Sequence, residues 1–191
     1  MSRLAFVRHG QSLANARRVH AGQSDDDLSP LGIIQARRLA ATLEGWTIDR
    51  LVSSDLKRAV HTAQLAWPHA TPRLETYAAL RERDIGEWEG IARDSPIKGR
   101  HPNRLLTWDE GPPGGESLHQ LATRVMKWFI EHDDGSRMLI VVHGGVIRCI
   151  LGLLDDLPYE HIGALKIANV QVERRDVSPE RWSQLATRLR V

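Results

Sequence analysis

Two short segments of the sequence place a histidine beside a glycine directly after an apolar run. The run 4–7 is followed by Arg8-His9-Gly10, and the run 138–142 is followed by His143-Gly144-Gly145. An imidazole can act as a nucleophile or a base, and an arginine presents a planar fork of N–H donors that matches phosphate oxygens. These residue types in this order predict chemistry on a phosphate group.

Arg58 and Glu82 lie in two further segments that suit an anionic ligand. Arg58 falls in the first turn of a predicted helix, where free backbone amides attract anions. The alternative is a surface arginine paired with Asp55 or Glu75. Glu82 stands between two arginines in the segment 80–90, which fits neither helical nor strand periodicity and is interpreted as an ordered functional loop.

Apolar runs and helical stripes alternate along the chain, and these elements must position the four segments. Strands are predicted at 4–7, 48–52, 73–76, 138–142 and 165–173. Helices are predicted after the cap candidates Ser29 and Ser53-Ser54-Asp55, after the rigid turn 111–117 and after His143-Gly144-Gly145. The tail around Trp182 is ambiguous between helix and strand. This alternation predicts an α/β sandwich with a largely parallel sheet, which binds ligands at the carboxyl ends of its strands.

Composition restricts the classes of partner. The 191 residues fit one domain, 1–191, and the 26 basic residues are scattered among 24 acidic ones without a polybasic block, which argues against a nucleic-acid partner. No apolar run is long enough to span a bilayer, and no signal-peptide pattern is present, so a cytoplasmic protein without a membrane partner is expected. The single cysteine, Cys149, excludes an internal disulfide.

The sequence does not indicate a metal site. Asp25-Asp26-Asp27 lacks the alternating spacing and distal glutamate of a calcium loop, so a solvated turn is expected there. His9 and His143 have no companion ligand at metal spacing, which makes a metallohydrolase the weaker alternative.

Four motifs in order resemble the histidine phosphatase superfamily, whose fold is phosphoglycerate-mutase-like. They are Arg8-His9-Gly10, Arg58 in the context 54–59, Glu82 before Gly86-Glu87-Trp88-Glu89-Gly90, and His143-Gly144-Gly145. The resemblance covers residues 3–175. It implies a three-layer α/β/α sandwich with a mostly parallel central sheet.

The resemblance also implies the roles of the site residues. His9 would form a phosphohistidine, Arg8, Arg58 and His143 would hold the phosphate oxygens, and Glu82 would donate the proton to the leaving group, with no cofactor and no metal. Further contacts to phosphate or substrate are expected from Asn15, Gln11, Ser12, Arg83 and Gly144. Gln11 departs from the pattern, because many relatives carry glutamate at this position.

Two features favour the phosphatase branch. The segment between Trp88 and Gly111 is too short for the large insertion of mutases, and Gly145 replaces their usual asparagine. The motif contexts resemble α-ribazole phosphatases and broad-specificity phosphatases. A phosphomonoesterase acting on a small-molecule phosphate ester, as a monomer or homodimer, is therefore expected. A cofactor-dependent phosphoglycerate mutase and a non-catalytic phospholigand-binding protein are the alternatives.

Four basic side chains of the segment 91–111 could face either substrate or solvent: Lys98, Arg100, His101 and Arg104.

Overall fold

Five strands form the central sheet of the computed structural model, which describes residues 1–69, 71–95 and 107–190. The strands are β1 (Ser2–Arg8), β2 (Arg50–Ser54), β3 (Leu74–Tyr77), β4 (Arg137–Val142) and β5 (Val172–Val177), in the spatial order β3-β2-β4-β1-β5. All neighbouring pairs are parallel except β1 and β5, which are antiparallel.

Helices cover both faces of this sheet. They are α1 (Leu13–Ala16), α2 (Pro30–Thr42), α3 (Lys57–Ala66), α4 (Leu118–His132), α5 (Gly144–Leu154), α6 (Tyr159–Ile162) and α7 (Pro179–Leu189). Single 3₁₀ turns lie at Ala78–Leu80 and Gly86–Trp88. Among the helices of the described ranges, none combines the length and apolarity that crossing a bilayer would need.

The alternation of side chains along β1 explains the three layers. Leu4 and Phe6 point into a core that also contains buried residues of α4, α5 and α7, whereas Ala5 and Val7 point into a second core with α2 and α3. Successive strand residues face opposite sides of a sheet, and a strand buried on both faces is apolar throughout. The predicted α/β/α sandwich with a mostly parallel sheet is confirmed.

The register of β1 and β4 brings the two histidine turns together. The strands are parallel and Arg8 lies opposite Val142, so both chains leave the sheet at the same edge. The backbone N–H of His9 continues the ladder by donating to the Val142 carbonyl at 3.0 Å. His9 and His143 therefore emerge side by side.

The edge strand predicted at 165–173 exists as β5, but its predicted bounds are wrong, because β5 begins only at Val172. Carbonyl groups of the preceding segment accept hydrogen bonds from arginine side chains: Leu165 from Arg148 at 2.7 Å and Ile167 from Arg8 at 2.6 Å. The segment is a loop that holds these arginines. The ambiguous tail is helix α7, capped by the Ser178 side chain.

Candidate active site

A cleft of about 290 Å³ opens at the carboxyl ends of β1 and β4. Among the titratable residues of its described lining, only Glu82 is acidic. The lining consists of Arg8, His9, Asn15, His20, Ala21, Gly22, Arg58, Glu82, Arg83, Ile85, Arg93, Leu118, Gly144, Gly145 and Arg148. No group of three or more histidine, cysteine or carboxylate side chains within the described ranges is arranged to hold a metal ion. All five residues predicted to do the chemistry line the cleft or lie against it.

His9 is held in one orientation and in the neutral form. The residue is 4% exposed, and Nδ1 lies 2.7 Å from the Gly10 carbonyl oxygen. A carbonyl only accepts, so Nδ1 carries the proton and Nε2 keeps its lone pair in the neutral ring. Burial, followed by the charges of Arg58 and Arg8, lowers the pKa of His9 well below its usual value. The ring therefore presents an unprotonated nitrogen at neutral pH.

His143 lies against His9, with 5.1 Å between the ring centroids. It is completely buried, and neither of its ring nitrogens has a hydrogen-bond partner among the described residues. Burial, Arg58 and His9 together lower the pKa of His143 well below its usual value. Buried polar atoms without partners are rare in folded proteins, so this ring is prepared for a ligand that supplies the missing contact.

Arg58 is buried and Arg8 is half-buried, and backbone carbonyl groups hold the guanidinium group of each. Arg8 Nη1 donates to the Ile167 carbonyl, and burial lowers the pKa of Arg8 to about 10, which leaves it charged at neutral pH. Arg58 donates from Nη2 to the Gly22 carbonyl at 2.7 Å, and burial also lowers the pKa of Arg58. A buried and a half-buried positive charge beside two neutral imidazoles can bind a multiply charged anion.

The acidic run is only in part the solvated segment expected from the sequence: the side chains of Asp25 and Asp27 are about half exposed, but each of the three aspartates binds helix α3. Asp25 accepts from the backbone N–H of Lys57 at 2.8 Å, and Asp27 pairs with His61 at 2.9 Å. Asp26 accepts from Arg58 Nη1 at 3.0 Å, and its side chain is only 11% exposed. The alternative partners weighed for Arg58, Asp55 and Glu75, pair instead with Arg81 and Arg50.

The same run replaces the predicted cap of α3. Ser53 and Ser54 lie within β2, and the N-cap residue Leu56 has no side chain that could cap the helix. The Asp25 carboxylate provides the acceptor from a segment 32 residues away. Only the tertiary fold could reveal this partner.

Glu82 lines the same cleft and contacts the first turn of α5, two residues after His143. Its Oε1 accepts from the Arg83 backbone N–H at 2.9 Å and its Oε2 from the Gly145 N–H at 3.0 Å. A Cβ atom at position 145 would lie 2.2 Å from Oε1, so the glycine there makes room for this carboxyl group. The position of the Glu82 carboxyl group therefore depends on a glycine in the first turn of α5.

The remaining predicted contacts divide into two groups. Asn15, Arg83 and Gly144 line the cleft, whereas Gln11 and Ser12 are outside its lining. Gln11 Oε1 accepts from the Ser29 hydroxyl at 2.8 Å, and the Ser12 hydroxyl accepts from the Asn15 N–H at 3.2 Å as the N-cap of α1. The structure does not bring these two side chains to the ligand space, because both are engaged at helix N-termini.

Gly10 also has a packing reason for lacking a side chain. A Cβ atom there would lie 2.6 Å from the Gly32 carbonyl oxygen, so the turn after β1 packs directly on helix α2. Close approach of a ligand is not needed to explain this glycine.

Sequence reasoning missed three basic side chains of the cleft, namely His20, Arg93 and Arg148. Arg148 carried a signal, since it is the one charged residue in the otherwise apolar and glycine-containing helix α5. His20 and Arg93 lie in segments without a periodic pattern. Lys98, Arg100, His101 and Arg104 fall outside the described residues.

The fold and cleft together define an α/β protein with a basic anion site built around two neutral histidines. The model of the histidine phosphatase superfamily (branch 1) matches residues 4–189. The chain belongs to this superfamily, and the resemblance seen in the four motifs is confirmed.

Individual relatives have both phosphatase and mutase names. A 2,3-bisphosphoglycerate-dependent phosphoglycerate mutase of Methylorubrum extorquens is 35% identical over 179 residues, 86% of this chain and 84% of the relative. The mycobacterial glucosyl-3-phosphoglycerate phosphatase in complex with VO3 superimposes with a TM-score of 0.81 at 29% identity, covering 90% of this chain and 91% of that one. The α-ribazole phosphatase of Shigella flexneri gives a TM-score of 0.80 at 26% identity, covering 92% and 91%.

Proposed function

We propose that this protein is a phosphomonoesterase that hydrolyses small phosphorylated metabolites through a phosphohistidine on His9. The observation that carries the proposal is the contact between His9 Nδ1 and the Gly10 carbonyl at 2.7 Å. This contact leaves the Nε2 lone pair for attack on phosphorus, beside the buried and unpartnered ring of His143.

In the first step, His9 Nε2 attacks the phosphorus atom and the bond from phosphorus to the ester oxygen breaks. Glu82, protonated at this stage, gives its proton to the departing oxygen, so the alcohol leaves neutral. Arg8, Arg58 and His143 donate hydrogen bonds to the other phosphate oxygens, which spread the charge of the transition state. Asn15 lines the cleft and adds a donor from its amide.

In the second step, water attacks the phosphohistidine and the bond from nitrogen to phosphorus breaks. The Glu82 carboxylate, deprotonated by the first step, takes a proton from the water, and inorganic phosphate leaves. His9 returns to its neutral form with the proton still on Nδ1, and Glu82 is protonated again. Each group ends in the state in which it began, so the cycle needs no cofactor.

The solved relatives support a small-molecule ester as the substrate. The names of two of them give glucosyl-3-phosphoglycerate and α-ribazole phosphate chemistry, both on compounds of metabolite size. A cleft of about 290 Å³ accommodates a phosphate and part of such an alcohol. The proposal includes a cytoplasmic monomer or homodimer without a nucleic-acid or membrane partner.

A phosphoglycerate mutase is the second candidate, and the 35% identity to the Methylorubrum extorquens mutase favours it. A mutase would return the phosphoryl group from His9 to a second hydroxyl instead of passing it to water. Interconversion of monophosphoglycerates that rises on addition of 2,3-bisphosphoglycerate would establish this activity. Hydrolysis without such stimulation would exclude it.

The test of the proposed function is phosphate release from a panel of aryl, sugar, nucleotide and glycerate monoesters in the presence of a chelator. The wild type is compared with His9→Ala and with His161→Ala, a change of an exposed histidine outside the cleft. Release that requires His9, persists with chelator and is unaffected by His161→Ala is expected. Absence of release from every ester, or full activity of His9→Ala, would refute the proposal.

A further inference from the structure

Arg124 of α4 contacts the backbone around Glu82 from outside the cleft. Its Nη1 donates to the carbonyl of Ala79 at 2.8 Å and to that of Arg81 at 3.2 Å, and its Nη2 donates to the carbonyl of Glu82 at 3.4 Å. One side chain thus ties three carbonyls of the segment that presents the acid.

Glu116 completes this contact from the opposite direction. It binds Arg124 with both oxygens, at 2.9 Å to Nε and 2.8 Å to Nη2, and its Oε2 also accepts from the Asp84 N–H at 2.9 Å. Arg124 holds the chain before and at Glu82, and Glu116 holds it just after. Bidentate pairs between arginine and carboxylate have a fixed relative geometry, which makes them suitable for positioning.

The segment has no regular secondary structure of its own. Residues 81–85 lie between two single 3₁₀ turns and belong to no strand or helix. Two glycines let Glu116 approach: a Cβ at Gly115 would lie 2.7 Å from the Asp84 carbonyl oxygen, and one at Gly86 would lie 2.2 Å from the Pro113 carbonyl oxygen. The segment 84–86 therefore packs backbone to backbone against 113–116.

We propose that Arg124 and Glu116 are positioning residues that set the place of the Glu82 carboxyl group, an inference that rests on the proposed acid role of Glu82. Neither residue lines the cleft, so both act through Glu82. Proton transfer to the leaving oxygen requires hydrogen-bond distance, and a misplacement of about 1 Å costs about 100-fold in rate.

The experiment measures kcat/KM for an alkyl ester, glycerol 3-phosphate, and an aryl ester, p-nitrophenyl phosphate. This ratio reports the steps up to release of the alcohol, so hydrolysis of the phosphohistidine does not enter. A phenolate leaves with little protonation, whereas an alkoxide depends on the acid. The variants are Arg124→Met and Glu116→Gln, with Glu82→Gln as the reference for complete loss of the acid.

Arg50→Met is the matched control. Arg50 also makes a bidentate pair, with Glu75 at 3.0 and 2.7 Å, and donates to a backbone carbonyl, that of His132, at 2.6 Å. It lies at the amino end of β2, away from the cleft. Its substitution removes the same kinds of bond without touching the Glu82 segment.

For Arg124→Met and Glu116→Gln we expect about a 10- to 100-fold loss on glycerol 3-phosphate and less than about a 3-fold loss on the aryl ester. Arg50→Met should show no selective loss, and Arg124→Met should add nothing to Glu82→Gln on the alkyl ester. Equal losses on the two esters, or additive losses in the double variant, would overturn the inference. If Arg124→Met does not fold, Glu116→Gln, which keeps the size of the side chain, decides the question.

Failure of the proposed function gives a different pattern. If Glu82→Gln itself shows no selective loss on the alkyl ester, Glu82 is not the acid and the proposed mechanism fails first. If Glu82→Gln is selective while the Arg124 and Glu116 variants are not, the mechanism stands and the positioning role is refuted.

Discussion

Gly145→Ala isolates the placement of Glu82 from the rest of the cleft. The added Cβ atom would lie 2.2 Å from Glu82 Oε1, and carbon atoms at such positions essentially never approach below 3.0 Å, so the carboxyl group must retreat by at least 3.0 − 2.2 = 0.8 Å. A displacement of about 1 Å at a reacting group costs about 100-fold, or about 2.7 kcal/mol of transition-state stabilisation. We expect kcat/KM on an alkyl ester to fall by this factor.

The substitution should not destabilise the backbone, because Gly145 lies in α5 and has no positive φ angle. Gly45→Ala is the control, because it strains the backbone without displacing a neighbour: φ is +75° at Gly45, and no atom lies within 4 Å of the added Cβ. We expect Gly45→Ala to lower the free energy of unfolding by about 1 kcal/mol and to leave kcat/KM unchanged. Alkyl and aryl ester assays, with urea unfolding of each variant, separate the two effects. Full activity of Gly145→Ala on the alkyl ester would refute the close placement of Glu82.

Three further results are expected. Because burial lowers the pKa of His143 below the 6.5 of an unfolded histidine, the unfolded chain takes up a proton that the folded chain does not as the pH falls below 6.5. Below pH 6.5, the free energy of unfolding measured with urea should therefore fall more steeply in the wild type than in His143→Gln, by about 1.4 kcal/mol per pH unit. Above pH 6.5, the two proteins should show the same pH dependence. Parallel curves over the whole range would contradict this expectation. Asp26→Ala removes the carboxylate that holds Arg58 at 3.0 Å and should weaken vanadate inhibition about 10-fold. The control Asp27→Asn changes a carboxylate that contacts His61 instead and should not weaken inhibition. Equal inhibition of both variants would show that Asp26 does not position Arg58 for anion binding. Burial raises the pKa of Cys149 to about 12, so the native protein should not react with a thiol reagent at neutral pH until denaturant is added, and rapid reaction of the folded protein would contradict the buried thiol.

The fold and the central residues of the site could be predicted because their signals are local. The apolar run of β1 reflects burial on both faces of the sheet, and the apolar stripe of α4 reflects burial on one face of the helix. The two histidine turns directly follow their strands. Each histidine is predicted at the carboxyl end of a strand, and the parallel pairing of β1 with β4, which the sequence does not reveal, brings the two together.

What the sequence did not reveal depends on distant partners. Asp26 contacts a side chain 32 residues further along the chain, and the 165–173 segment departs from strand geometry where its carbonyls accept from Arg8 and Arg148. Gln11 lies two residues after His9, but its amide oxygen accepts a hydrogen bond from Ser29, the N-cap residue of α2. Periodicity carries no information about such contacts.

Regular strands position the two histidines, whereas an irregular segment positions Glu82. In the proposed mechanism, this difference separates the residues that bind the phosphate group from those that contact the alcohol. His9 and His143 follow adjacent strands of the sheet, so their relative position is fixed by the β1–β4 ladder. Glu82 lies in an irregular segment that also contributes Arg83 and Ile85 to the cleft. In the proposed mechanism the leaving oxygen contacts Glu82, which places the alcohol of the substrate against this same segment. Substitutions between 79 and 93 can therefore change the preferred ester while the nucleophile stays in place. This explains how one family with a shared phosphate site can include relatives that are named for different phosphorylated compounds.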